Sequence, residues 1–112
     1  MTRVLLVEDE PRLRQVLVRN LVGRGVVVTE AGTAREAVDA ALSDQPDLLL
    51  LDINLPDQTG WDVLRELRRG SEIPTIILSA VGVSHKRLDE FQPIAYLPKP
   101  FPIEALLRLV VK

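Results

Sequence analysis

Apolar residues along this chain gather into five short continuous runs, each followed by a polar break and, further on, by apolar positions at helical spacing. The runs are Arg3 to Val7 (RVLLV), Val26 to Thr29 (VVVT), Leu48 to Asp52 (LLLLD), Pro74 to Leu78 (PTIIL) and Ile94 to Leu97 (IAYL). Leu48 to Leu51 is too short for an independent helix and does not alternate, so it reads as a strand covered on both faces and placed mid-sheet. The first helical stripe is Leu13, Val16, Leu17 and Leu21, beginning near Pro11 and ending at Gly23 or Gly25. The second is Ala34, Ala37, Val38, Ala41 and Leu42, with Thr33 as its N-cap. Trp61, Leu64 and Leu67 make a third that stops at Gly70, and Ile103, Leu106, Leu107 and Val110 make the last, after the Pro98-Lys99-Pro100 turn. Between Val81 and Gln92 the pattern thins to Val83, Leu88 and Phe91, which predicts a short or loosely packed helix. The repeated β-α alternation predicts a parallel sheet with helices on both faces.

Composition narrows the partners and the compartment. With 112 residues and 46% hydrophobic content, the chain can bury one core and is expected to be a single domain, 1–112. A formal net charge of −2 favours neither nucleic acid nor an anionic membrane. Arg65, Arg68 and Arg69, interrupted by Glu66, read as decoration of a solvated helix face. The absence of cysteine excludes a disulfide framework and a thiolate metal site. With no apolar stretch long enough to span a bilayer and no signal pattern at Met1-Thr2-Arg3, a soluble, cytoplasmic chain is the simplest expectation, with no direct contact to nucleic acid or membrane.

Chemistry enters through the strand ends. In a parallel α/β sheet the C-terminal ends of the strands share one edge, the place where such folds bind ligands. That edge should bring together Glu8 and Asp9, Asp52, Ser79 and Lys99. Asp52 stands at the end of the four-leucine strand, and the chain leaves the sheet at once through Pro56-Asp57 and Gly60. Each residue has a plainer role on its own: the acids as helix caps, Ser79 satisfying a strand-end backbone group, Lys99 as a loop charge. Together they form a different set. Hard oxygen ligands without His or Cys suit Mg²⁺ or a similar divalent ion, and Lys99 and Ser79 supply a point charge and a hydroxyl for phosphate oxygens. Phosphoryl transfer is the chemistry such a set fits, with a carboxylate as nucleophile. His85, the one histidine, is expected to be solvated and is neither a metal site nor a sign of a phosphohistidine carrier. Trp61 should pack at the start of the third helix.

VLLVEDE at the first strand, PDLLLLDINLPDQTGWDVL in the middle, PTIILSA at the fourth strand and YLPKPF before the last helix together resemble, nearly end to end, the receiver domain of two-component response regulators. The resemblance implies a flavodoxin-like α/β fold, a doubly wound five-stranded parallel sheet of order 2-1-3-4-5; that order comes with the family and not from the hydrophobic pattern. It implies that Asp52 accepts a phosphoryl group from a histidine kinase. It implies that Asp9, Asp52 and the backbone carbonyl of Asn54 ligate Mg²⁺, that Glu8 supports them through water, and that Ser79 and Lys99 contact the phosphoryl oxygens. Tyr96 would be the aromatic that turns inward as Ser79 moves, converting local charge into a surface change. A cis Lys99-Pro100 peptide follows from the same likeness. Beyond the kinase, the implied partners are a fused or separate effector or a second receiver in a dimer, and no effector domain is read in this chain.

The chain departs from the family where a small-residue pair usually precedes the fifth strand: here the stretch reads Gln92-Pro93-Ile94-Ala95. Pro93 must end any helix before it, and the sparse anchors predict that Val81 to Gln92 is mobile or remodelled. Three other readings compete. A degenerate receiver would act as a phosphorylation-independent interaction module. An aspartate-nucleophile phosphatase of the haloacid dehalogenase type needs a general acid two residues after the nucleophile, where this chain has Asn54. A nucleotide-binding flavodoxin-like protein needs a glycine-rich loop after a strand, and none is present.

Overall fold

The computed structural model describes residues 2–111. Strands and helices alternate as β1 (Arg3–Val7), α1 (Pro11–Val22), β2 (Val27–Ala31), α2 (Ala34–Asp44), β3 (Leu48–Asp52), α3 (Gly60–Leu67), β4 (Thr75–Ser79), α4 (His85–Phe91), β5 (Ala95–Pro98) and α5 (Ile103–Val110). The strands form one parallel sheet of order β2-β1-β3-β4-β5, the order the resemblance implies. Register sets Val7 beside Leu51, Asp52 beside Leu78 and Ser79 beside Pro98, so the strand ends reach one edge in step.

Successive strand residues divide between two cores. Leu5, Leu49, Leu51 and Ile77 lie with residues of α2, α3 and α4, whereas Val4, Leu6, Leu50 and Ile76 pack with Leu17 and Leu21 of α1 and Leu106 and Leu107 of α5. Every residue of β3 is buried, which is why its leucines need not alternate with polar residues. Two helix starts, at Pro11 and Thr33, are those the sequence signals; the caps of α3 and α4 emerge from the structure. Pro11 stands in the first turn of α1, and Thr33, Thr59 and Ser84 cap α2, α3 and α4. Two ends are less legible: Gln45 and Gln92 terminate α2 and α4 at φ 49° and 48°, the left-handed region that glycine usually fills.

The structure corrects several expectations. The stripes of α1 and α2 are narrower than predicted, with Val16 and Leu42 at 42% and 68% exposed, because both lie beyond the arc that faces the sheet. The three arginines do not share one solvated face. Arg68 is half-buried and donates to the Ile73 carbonyl at 3.0 Å and the Thr75 hydroxyl at 3.4 Å. Burial lowers its pKa, opposed by the charge of Glu72.

The short helix expected within 81–92 is present as seven regular residues that end before Pro93, so the stretch is not remodelled. One side chain anchors it. Phe91 is buried and stacks on Trp61, with ring centroids 5.4 Å apart and planes 17° apart. The guanidinium of Arg65 lies over Phe91 and that of Arg87 over Trp61, and both arginines pair with Glu90. A stacked, cation-flanked aromatic pair does the work that a long apolar stripe does elsewhere. His85 is exposed and the Lys99-Pro100 peptide is cis, both as expected.

Candidate functional site

Three adjacent acids leave β1, and each takes a different task. Glu8 is fully buried: one carboxylate oxygen accepts from Lys99 Nζ at 2.6 Å and the other from the Glu10 N–H at 3.1 Å. Asp9 stays exposed. Glu10 turns to α1 and accepts from the N–H groups of Arg12 and Leu13 at 3.2 and 2.9 Å, so the helix-capping role falls to the third acid.

At the end of β3, Asp52 is 3% exposed, with Oδ1 accepting from the Asn54 N–H at 3.2 Å and Oδ2 from Lys99 Nζ at 3.1 Å. Lys99 therefore bridges two buried carboxylates, one just past β1 and one at the end of β3. Its backbone is placed by an N–H donated to the Ser79 carbonyl at 2.8 Å, which extends the β4–β5 pairing by one residue. Burial pushes the Glu8 carboxyl up, an effect that the hydrogen bonds from Lys99 and Glu10 only partly offset. For Lys99 burial pushes the ammonium down, but the Glu8 and Asp52 carboxylates outweigh it and leave its pKa raised, so the lysine is charged.

Carboxylate oxygens of Glu8, Asp9 and Asp52 all lie within 4.8 Å of one another. An octahedral Mg²⁺ with bonds of about 2.0–2.1 Å needs its ligand oxygens roughly 3 to 4 Å apart. The set is hard enough for such an ion and gathered close to that spacing, and three carboxylates against one ammonium leave a surplus of negative charge. Asn54 is exposed beside Asp52 and forms a bridge with Thr59 across the loop.

Ser79 and Tyr96 stand apart from the carboxylates. The Ser79 hydroxyl donates to the Val81 carbonyl at 2.8 Å and accepts from the Val81 N–H at 3.2 Å, and the Tyr96 hydroxyl reaches the same carbonyl at 3.3 Å. The sheet edge thus brings Glu8, Asp9, Asp52 and Lys99 together directly, while Ser79 and Tyr96 meet each other through Val81.

Two further residues that the hydrophobic pattern does not single out shape the site. Arg14 donates to the Glu8 carbonyl at 2.8 Å and pairs with Glu30 at 3.2 Å; a Cβ on Gly32 would lie 2.9 Å from its guanidinium. Asp57 reaches from the β3–α3 loop to α2, its two oxygens accepting from the N–H groups of Ala34 and Arg35 at 2.8 and 3.1 Å. The signal for Asp57 is the Pro-Asp turn, but the partner helix lies more than twenty residues away.

A family model described as "Response regulator receiver domain" matches residues 4–111. Among curated proteins, the chain is 42% identical to the transcriptional activator protein PfeR of Pseudomonas aeruginosa, covering 96% of this chain and 38% of that protein. It is 39% identical to the KDP operon transcriptional regulatory protein KdpE of Escherichia coli, covering 100% of this chain and 52% of that protein. The chain thus spans between about a third and a half of these relatives. Among solved structures, the Thermotoga maritima response regulator TrrA in complex with Mg(2+)-BeF superposes with a TM-score of 0.86 at 31% identity, covering 98% of this chain and 96% of that one. The non-phosphorylated HemR receiver domain from Leptospira biflexa superposes at 0.88 and 29% identity, covering 100% and 96%. A sheet of this order, an acidic cluster at its carboxyl edge and a match along nearly the whole sequence lead to one conclusion: the chain belongs to the response regulator receiver domain family.

Proposed function

We propose that this domain is a phosphoacceptor switch in which Asp52 receives a phosphoryl group from the phosphohistidine of a histidine kinase. The observation that carries the reading is the Asp52 carboxylate itself, held at the end of a buried strand by the Asn54 N–H and the Lys99 ammonium, with two more carboxylates alongside. An Asp52 oxygen forms the new bond to phosphorus as the bond between phosphorus and the imidazole nitrogen breaks, and that nitrogen keeps the electron pair. Lys99, charged and already on Asp52, is placed to pair with a phosphoryl oxygen. Ser79 reaches another by letting go of the Val81 carbonyl, and Tyr96 loses its co-donor there and turns inward. Asp9, Asp52 and the Asn54 carbonyl would hold Mg²⁺, with Glu8 supporting through water. When bound, the ion neutralises charge on the transferring group.

One phosphoryl group per chain, lost by slow hydrolysis, makes this a switch and not a turnover enzyme. The relatives' names as transcriptional regulators support a transcriptional output, through a fused or separate effector or a second receiver, in a cytoplasmic setting. The complete acidic set weighs against a degenerate, phosphorylation-independent module. The test is intact-protein mass after incubation with acetyl phosphate and Mg²⁺, beside Asp52→Asn and beside a chelator control. Gain of one metal-dependent phosphoryl group by the native chain alone supports the reading. No gain in any arm overturns it.

A further inference from the structure

We propose that Asp57 is a positioning residue for the metal and phosphoryl site, tethering the β3–α3 loop to the N-terminus of α2 so that the Asn54 carbonyl is held where a divalent cation needs it. The inference rests on the reading of Asn54 as a Mg²⁺ ligand given above. Between Asp52 and Gly60 the base of the loop is pinned by three contacts: the Asn54 N–H on Asp52, the Gly60 N–H on the Ile53 carbonyl at 2.7 Å, and the Asn54–Thr59 bridge. Its outer part has Leu55 packed against the core and the Asp57 carboxylate on α2.

The helix end already has a cap of its own. The Thr33 hydroxyl accepts from the Glu36 N–H at 3.1 Å, and the Thr33 carbonyl accepts from the Ala37 N–H. Asp57 adds a carboxylate astride the next two free donors, at the end of the helix where the dipole favours negative charge. Because Ala34, Ala37, Val38 and Ala41 seat α2 in the core, the helix is the fixed partner and the loop is what the contact restrains. Thr33 and Asp57 thus cap the same helix, but only Asp57 connects it to the loop. That difference separates a tether from a cap.

The experiment is titration calorimetry of Mg²⁺ into the wild-type chain, Asp57→Ala, Asp57→Asn and Thr33→Ala, with melting curves showing that each is folded at the titration temperature. Loss of the tether should weaken Mg²⁺ affinity about tenfold in Asp57→Ala, the scale on which outer partners of metal ligands act. Asp57→Asn, which keeps one acceptor oxygen, should fall between that and wild type and serves in its place if the alanine variant does not fold. Thr33→Ala should bind Mg²⁺ within about twofold of wild type. Equal affinity in the Asp57 variants and wild type overturns the tether, and so does an equal loss in Thr33→Ala, which would make the effect one of helix stability. Wild type that takes up no Mg²⁺ overturns the metal-site reading and the tether with it.

Discussion

Ser79 and Tyr96 share one acceptor: both hydroxyls donate to the carbonyl of Val81, at 2.8 and 3.3 Å. Neither hydroxyl is hydrogen-bonded to the carboxylate cluster, and a movement of Ser79 toward Asp52 leaves Tyr96 as the remaining donor to that carbonyl. Ser79→Ala should slow acetyl phosphate labelling of Asp52 by about 10- to 100-fold, the value of one hydrogen bond to a charged oxygen. Tyr96→Phe should leave the labelling rate within about twofold, since its hydroxyl lies outside the reacting group. Time courses of intact mass measure both.

Lys99 neutralises two buried carboxylates at once. Lys99→Ala should lower stability by about 2 kcal/mol in chelator, because Glu8 and Asp52 are left adjacent without a counter-charge. Added Mg²⁺ should restore part of the loss and raise the Tm of the variant more than that of wild type. Thermal melts with and without Mg²⁺ read the difference.

Gly60 is required by close packing against the strand that carries Asp52. A Cβ there would lie 2.6 Å from the Asp52 carbonyl oxygen and 3.0 Å from Ile53 Cα, both backbone atoms that cannot move aside. Gly60→Ala should cost about 3 kcal/mol in urea unfolding, with a lower midpoint and an unchanged slope.

Phe91 is the buried anchor of α4, stacked on Trp61. Phe91→Leu should destabilise by about 1–2 kcal/mol, since it keeps most of the volume and loses the stacking. It should also change Trp61 emission, while acetyl phosphate labelling stays within about twofold of wild type.

Two exposed aspartates set an acid limb. Hydrogen bonds from the Ala34 and Arg35 N–H groups hold the Asp57 carboxyl below the ordinary range, and those from the Thr59 N–H and hydroxyl do the same for Asp62. A depressed folded pKa gives stability that is complete above the unfolded value, near pH 4, and is lost as pH falls through the folded value. Tm should therefore drop below about pH 4, and the double variant Asp57→Asn, Asp62→Asn should show a shallower drop. Glu8 has the opposite sign. Its raised pKa favours the folded state as it protonates, so Glu8→Gln should make the acid limb steeper.

The legible parts of this protein are those governed by neighbours in sequence. Four leucines in a row specify a strand covered on both faces wherever it ends up, Thr33 and Pro11 announce helix starts, and Asp52 is placed at a strand end by the turn residues that follow it. Pro93 announces where α4 must stop, but the left-handed conformation of Gln45 and Gln92 escapes such reading, because glycine is the residue that signals it. The sparse pattern of α4 gives a short helix and names Phe91 among its anchors, but not the stacking that holds it, because the partner ring stands on another helix.

The sequence by itself determined the β-α alternation, the two-sided burial of the sheet and the set of strand-end residues, because periodicity and turn chemistry act within a few residues. Tertiary structure decided how that set divides its labour. Among Glu8, Asp9 and Glu10, side chains of like charge and similar length, only the position of Lys99 some ninety residues away selects Glu8 for burial, leaves Asp9 exposed beside it and frees Glu10 to cap α1. The same holds for Asp57, whose turn is local but whose partners on α2 are brought to it by the packing of two helices on one face of the sheet.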